Sequence, residues 1–234
     1  SADATTAGAL TLRQPSPQAL DTWVAPADAR FSTPASVSDA IAAGRVTNAT
    51  EVAAGDTVVH RIVAPGIAGE FATEAGNTTE AFFGSAGTSD RDRYALNVTQ
   101  RDPDANQDPY WLRLNNTSAR VVADTTNDTY FVIYRSDGPA AAPWNGTAET
   151  GRLDADAPAT GDSLSAEFTV HADGPFADLE RTERRVTAAH SLVAARITAD
   201  EPIVVTNATN QSVAGTTTLA PGTEFALRLR SGNG

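Results

Sequence analysis

Ten short runs, at 10–13, 57–64, 93–99, 110–114, 119–123, 129–135, 164–170, 203–206, 212–219 and 224–229, are apolar or alternate apolar with polar residues, and Gly, Pro, Asn or Asp punctuates the chain between them. A surface helix repeats its apolar positions every three or four residues over ten or more. These runs are too short for that and are rich in Val and Thr, whose branched β-carbons suit a pleated surface. Their spacing favours sandwich sheets over βαβ units, because a parallel crossover needs a dozen or more residues and usually a helix. The fold class is therefore all-β, a sandwich.

One short helix interrupts the pattern. Ser36 or Ser38 caps a stretch running to Ala43, and Gly44 supplies the stop. A second stretch, 176–185, mixes Asp178, Glu180 and Glu183 with Arg181, Arg184 and Arg185. It reads either as an exposed helix or as an edge strand with its connection, and the strand is favoured for its C-terminal part. Residues 136–162 are poor in large apolar side chains and read as a long surface loop. The reading divides the chain into a sandwich domain over 1–199 and the start of a second β module over 200–234. Three strands do not close a sandwich, so that second module reads as incomplete.

The asparagines say where such a chain resides. Nine of eleven stand in Asn-X-Ser/Thr: Asn48, Asn77, Asn97, Asn115, Asn116, Asn127, Asn145, Asn207 and Asn210. With 44 Ser and Thr among 234 residues, chance places about two there. A sequon is an acceptor for N-linked glycans, which need exposed backbone and passage outside the cytoplasm. Net charge is −12 with 29 acidic residues, and all 17 basic residues are Arg, with no Lys. That balance suits a solvent of very high ionic strength, where the Debye length is about 3 Å and a large net charge is well tolerated. It leaves no basic stripe for nucleic acid or anionic lipid. Cys is absent although an extracellular location permits disulfides. No apolar run approaches the roughly 20 residues of a membrane span, so insertion by this chain is not expected. The opening Ser1-Ala2-Asp3-Ala4 fits a mature form whose signal peptide has been removed.

Chemical machinery is sparse, and an enzyme is not expected. There is no Cys nucleophile and no Gly-X-Ser-X-Gly elbow, and His60, His171 and His190 are scattered without metal-ligand spacing. His60 reads as a satisfied or half-exposed strand residue. Acid pairs such as Asp154 with Asp156, or Glu167, read as solvated surface rather than a glycosidase pair. Trp111 and Tyr110 are expected in the core, whereas Trp23 and Trp144 sit in loop-like contexts where either could form a sugar-stacking platform. Asp102, Asp104, Asn106 and Asp108 put oxygen donors at alternate positions of a short loop, as Ca²⁺ favours. Gln107 stands where a Ca²⁺ loop has Gly, and no bidentate Glu follows, so an ordinary Asp/Asn/Pro hairpin loop explains the same letters.

Residues Gln211-Ser212-Val213-Ala214-Gly215-Thr216-Thr217-Thr218-Leu219-Ala220-Pro221-Gly222-Thr223-Glu224, running on to Ser231, resemble a signature of haloarchaeal surface glycoproteins of the BGTF-type group. The stretch 37–44, Gly55-Asp56-Thr57-Val58-Val59, Gly66-Ile67-Ala68-Gly69 and Ala123 to Phe131 are similar to the same proteins, so the resemblance spans most of 36–231. It implies a secreted or cell-surface protein of an extreme halophile built from Ig-like β modules, and brings no catalytic residue with it. The relatives continue past Ser231 with further strands. The expected function is a structural, glycosylated subunit of a surface layer or filament, whose partners are itself or other surface glycoproteins. Strand donation by Ala7 to Arg13 into the open sheet is a sharper form of that reading, against which those residues are simply the first strand of their own domain. The alternative is a carbohydrate- or cation-binding adhesion module.

Overall fold

The computed structural model describes residues 15–69, 77–83, 94–143, 158–171, 184–201, 203, 212–226 and 228. In chain order the elements are β1 (Ala19–Ala25), α1 (Pro34–Ala42), β2 (Thr47–Asn48), β3 (Glu51–Ala53), β4 (Thr57–Val63), α2 (Thr78–Phe83), β5 (Tyr94–Gln100), β6 (Tyr110–Leu112), β7 (Ala119–Asp124), β8 (Thr129–Arg135), β9 (Ala141–Pro143), β10 (Ser163–Val170), β11 (Arg184–Val193), β12 (Ile197–Ala199) and β13 (Gly215–Thr217). Two sheets form the sandwich. The first runs β2-β1-β4-β8-β7, the second β3-β11-β10-β5-β6-β9, and β12-β13 form a separate two-stranded ribbon. Pairing is antiparallel except for β3 on β11, a parallel contact over Ser191↔Glu51 to Val193↔Ala53.

Alternation places every second side chain between the sheets. From the first sheet come Leu20 and Val24, Val58 and Ile62, and Tyr130, Val132 and Tyr134. The second contributes Val98, Tyr110, Leu112, Leu164, Ala166, Phe168, Val170 and Leu192. Strand β8 is buried over six of its seven residues because both of its faces are covered. Its other face, Phe131 and Ile133, packs with Val59 and Val122 beneath Phe31 and the Val37 and Ala40 face of α1. The first sheet is thus a middle layer, roofed on its outer side by the helix.

Helix α1 begins earlier than the sequence suggested. Thr33 is its cap, accepting from Ser36 N at 3.2 Å, while Ser36 Oγ accepts from Thr33 N and closes a reciprocal box. Ser36 is therefore the third helical residue, and Pro34 occupies the first turn, where its missing N–H is not needed. Gly44 ends the helix at φ +68, in the left-handed region that glycine enters freely. A second helix, α2, was not foreseen.

The loop-like placement of Trp23 is corrected by β1: Trp23 is a strand residue, packed against the cluster under α1, with its Nε1 buried and without a hydrogen-bond partner. Trp111 is likewise displaced from the expected core. Its neighbours Tyr110 and Leu112 point inward, so strand alternation turns Trp111 onto the outer face of the second sheet, opposite Thr99. Strands expected at 203–206 and 224–229 are not formed where they are described: Ile203, Glu224, Phe225 and Ala226 have no strand pairing.

Candidate functional site

Six sequon asparagines lie in the described residues, and five of them are exposed: Asn48, Asn77, Asn115, Asn116 and Asn127. Asn48 ends the edge strand β2, opposite Trp23. Asn77 caps α2, its Oδ1 accepting from Glu80 N at 3.2 Å. Asn115 and Asn116 stand in the turn before β7. There Asn115 Oδ1 accepts from Thr117 N, Thr117 Oγ1 and Ser118 N at 2.8, 2.7 and 3.0 Å, which staples the turn. Asn127 occupies the β7–β8 turn and donates to Asp124 Oδ2 at 2.7 Å. Asn97 differs. It is half-buried in the middle of β5, on the outer face of the second sheet, opposite Glu167 of β10. Asn145, Asn207 and Asn210 fall outside the described residues.

The loop between β5 and β6 builds a small polar pocket, but not from the four donors that the spacing suggested. Asp104 and Asp108 line it together with Gln100, Gln107, Tyr110 and Asp162, whereas Asp102 and Asn106 do not. Asn106 instead takes the turn conformation, with φ +67. The enclosed space is about 20 Å³, room for one water or one small ion. Asp162 is held in place by Tyr110 OH at 2.7 Å, Gln100 Nε2 at 3.0 Å and Ala159 N at 2.8 Å. Gln107 Oε1 is buried with no hydrogen-bond partner. Among the described residues no three His, Asp or Glu side chains converge tightly enough to form a metal-binding group.

Two histidines that look unrelated in sequence meet in the core. His60 of β4 and His190 of β11 both point between the sheets, with ring centroids 5.6 Å apart. His60 is fully buried and satisfied: Nε2 lies 2.9 Å from Tyr134 OH and Nδ1 lies 3.3 Å from Thr22 Oγ1. His190 is 3 % exposed and neither ring nitrogen has a hydrogen-bond partner. Burial pushes His190 down to about 4, and burial together with the neighbouring His190 holds His60 well below its ordinary value. Both are neutral at physiological pH and closed to solvent. Such a pair has no access to a substrate, which removes it from catalysis and makes it part of the core. His171 follows β10 directly and is not part of that pair.

The two stretches that carry the family resemblance touch each other. Asp56, 1 % exposed in the turn between β3 and β4, accepts from Ala220 N at 2.7 Å, and Ala220 is itself buried in the sandwich core. The same turn is tied to the end of β8, since Gly55 N donates to Ser136 Oγ and Ser136 Oγ donates to Ala53 O. Burial raises the Asp56 carboxyl above its usual range, partly offset by the Ala220 N–H and by Arg135. Neither sequence stretch announces this contact, because 164 residues separate its partners.

Comparison with known proteins gives three relatives of the same kind. The chain is similar to the "Cell surface glycoprotein" of Haloferax gibbonsii, at 33 % identity over 95 % of this chain and 24 % of that relative. It is also similar to "Cell surface glycoprotein 2" and "Cell surface glycoprotein 1" of Haloarcula hispanica, at 31 % identity over 97 % of this chain and 25 % of each relative. The chain thus spans about a quarter of the length of the curated relatives it matches. No family model and no solved structure matches it.

Proposed function

Because the chain belongs to the haloarchaeal cell surface glycoproteins over the region they share, we propose that it is a non-enzymatic, N-glycosylated structural unit of an extracellular assembly on an extreme halophile, a surface layer or a filament. Its partners in this reading are other copies of itself or other surface glycoproteins. One observation carries the proposal: the five exposed sequons lie at strand ends, turns and a helix cap, where a bulky glycan attaches without disturbing the sandwich. The acidic, lysine-free surface supports the same reading, as do relatives named for the cell surface. No described helix is long and apolar enough to cross a membrane.

Strand donation between subunits is the finer form. The donor named for it, Ala7 to Arg13, lies outside the described residues, and the receiving stretch is exposed and unpaired at Glu224, Phe225 and Ala226. Phe225 is 59 % exposed, which favours a partner on that side of the chain. Glycopeptide mass spectrometry and electron micrographs of native material test the proposal together. Bare sequons, or monomers under native salt, would overturn it.

A cation-binding role is the second reading, favoured by the enclosed pocket beside Asp104, Asp108 and Asp162 and by the orphaned Gln107 Oε1. Gln107, Asp104 and Asp108 would supply oxygens to Ca²⁺, with waters completing its shell. Titrating chelator-treated protein with Ca²⁺ decides this: a rise in Tm that Asp104→Asn abolishes supports it, and no rise ends it.

A further inference from the structure

Where acids outnumber arginines 29 to 17, one concavity on the outer side of the first sheet is lined by arginine and no acid. It measures about 430 Å³ and contains Arg30, Arg120 and Arg135 with the hydroxyls of Ser32, Thr117 and Ser118. Strand register explains why they gather. Arg120 pairs with Ile133 and Arg135 with Thr57, so both arginines stand on the helix-side face of the sheet, one row apart.

The charges are only partly compensated. Arg135 is bidentate to Asp137, at 3.0 and 3.1 Å. Arg30 spends one nitrogen on the carbonyls of Ala27 and Ala29, and Arg135 donates to the same Ala27 oxygen at 3.3 Å. Two guanidinium groups therefore flank one carbonyl, and Asp137, with Asp56 farther off, offsets the charge of Arg135 alone. Among the described residues neither Arg30 nor Arg120 has a carboxylate partner, and both are exposed. Bringing like charges together opposes folding unless something neutralises them, and a planar fork of donors matches a carboxylate better than chloride.

We propose that this concavity binds the carboxylates of an acidic segment from a second copy of this chain. The proposal rests on the assembly reading above. Two chains of charge −12 repel at low salt, but in molar salt that repulsion is screened within about 3 Å and only contacts made at hydrogen-bond distance persist. Arg–carboxylate pairs are such contacts. Asn115 and Asn116 stand at the rim next to Thr117 and Ser118, so the occupant is a narrow segment of a few residues rather than a broad face. The exposed run with Asp102 and Asp104 has the required chemistry.

Two measurements in molar salt test it. In the first, Ser32 is replaced by a photo-crosslinking phenylalanine analogue in a mixture of isotope-labelled and unlabelled glycosylated protein. Cross-links from Ser32 to an Asp- or Glu-bearing peptide of the other isotope support the proposal; cross-links to saccharide, to the same chain alone, or to nothing overturn it. In the second, a peptide of residues 101–109 is titrated calorimetrically into wild type and into the Arg30→Gln, Arg120→Gln double variant, whose Tm is checked for folding. The expected loss of affinity is at least tenfold. Equal affinity, no binding to wild type, or binding of an oligouronate instead of the peptide overturns the site. If the peptide binds yet wild type never self-associates by sedimentation, the assembly reading and this occupant both fall while the acidic-segment site stands.

Discussion

Mild acid should weaken the sandwich through His190. In the unfolded chain its imidazole titrates near 6.5, whereas in the folded protein burial pushes it down to about 4. Between those values the unfolded state binds the extra proton, so stability is intact above pH 6.5, declines as pH falls below it, and levels off for this residue once pH passes about 4. The gap is worth about 3 kcal/mol in full, and about 2 kcal/mol has gone by pH 5, at roughly 1.4 kcal/mol per pH unit. His60, held lower still by burial and by His190, acts in the same direction. Asp56 opposes them: its carboxyl is raised in the folded state, so it favours the native protein as pH falls through the carboxylate range, below most of this window. Denaturant unfolding in molar salt at pH 7.5 and pH 5 measures the slope in wild type and in His190→Leu. The variant buries no orphaned ring nitrogens and should be the more stable protein at pH 5, with about 2 kcal/mol of the pH dependence gone. Identical slopes would refute the placement of an unpartnered imidazole in the core. Retained slope in His60→Leu with loss in His190→Leu would assign the effect to His190 alone.

Asp56→Ala should cost about 1–3 kcal/mol, because the Ala220 N–H loses its buried acceptor; thermal melts measure the cost, and faster proteolysis within 212–226 shows that this segment has come loose. Asp56→Asn keeps an acceptor there and should fall well short of that loss. Asn115→Gln should lower stability by about 1 kcal/mol, since three hydrogen bonds to its side-chain oxygen hold the turn, whereas Asn48→Gln at an exposed strand end should stay within about 0.5 kcal/mol. Thr33→Ala should cost about 1 kcal/mol by removing the cap of α1, which circular dichroism during denaturant unfolding can follow.

Strands whose faces are both apolar were readable in advance, and strands that borrow their burial from elsewhere were not. Thr57 to Val63 and Thr129 to Arg135 each carry apolar residues on both faces because the sheet they share is sandwiched between the core and α1. Strand β1 has the same position but reads poorly: Asp21 and Thr22 interrupt Leu20 and Val24, and Pro15, Pro17 and Pro26 suggest a loop. Asp21 is accommodated by Arg61 at 3.2 Å across the strand pair and Thr22 by His60, partners 40 and 38 residues away. Strand β11 shows Val186, Ala188, His190 and Leu192 to the core, a weak apolar stripe that becomes a strand because β10 pairs with it from Ser163 to Val170. The pocket was half legible for the same reason. Asp104 and Asp108 are close in sequence, but Asp162 arrives through the pairing of β5 with β10, which spacing cannot foretell.

The sequons also bear on how such a sandwich avoids growing without limit. An edge strand offers unpaired backbone groups to any other strand, and the first sheet has edges at β2 and β7. Asn48 lies in β2 itself, and Asn115, Asn116 and Asn127 bracket β7 at its two ends. Glycans at these positions would cover both edges, while α1 covers the outer face of that sheet and Asn97 marks the outer face of the other. Contacts between copies would then fall to surfaces such glycans leave open, among them the arginine concavity on the outer side of the first sheet beside the start of α1 and the exposed Phe225. If Asn48 and Asn127 carry glycans, removing both sequons by Asn→Gln should leave the fold intact, since both side chains are exposed, yet change how copies associate. The expected products are disordered aggregates with added β-sheet signal in infrared spectra, in place of the regular assembly. A double variant that builds the native assembly unchanged would mean that these edges are protected by their short length and twist alone, and that the sugars serve only the solvent.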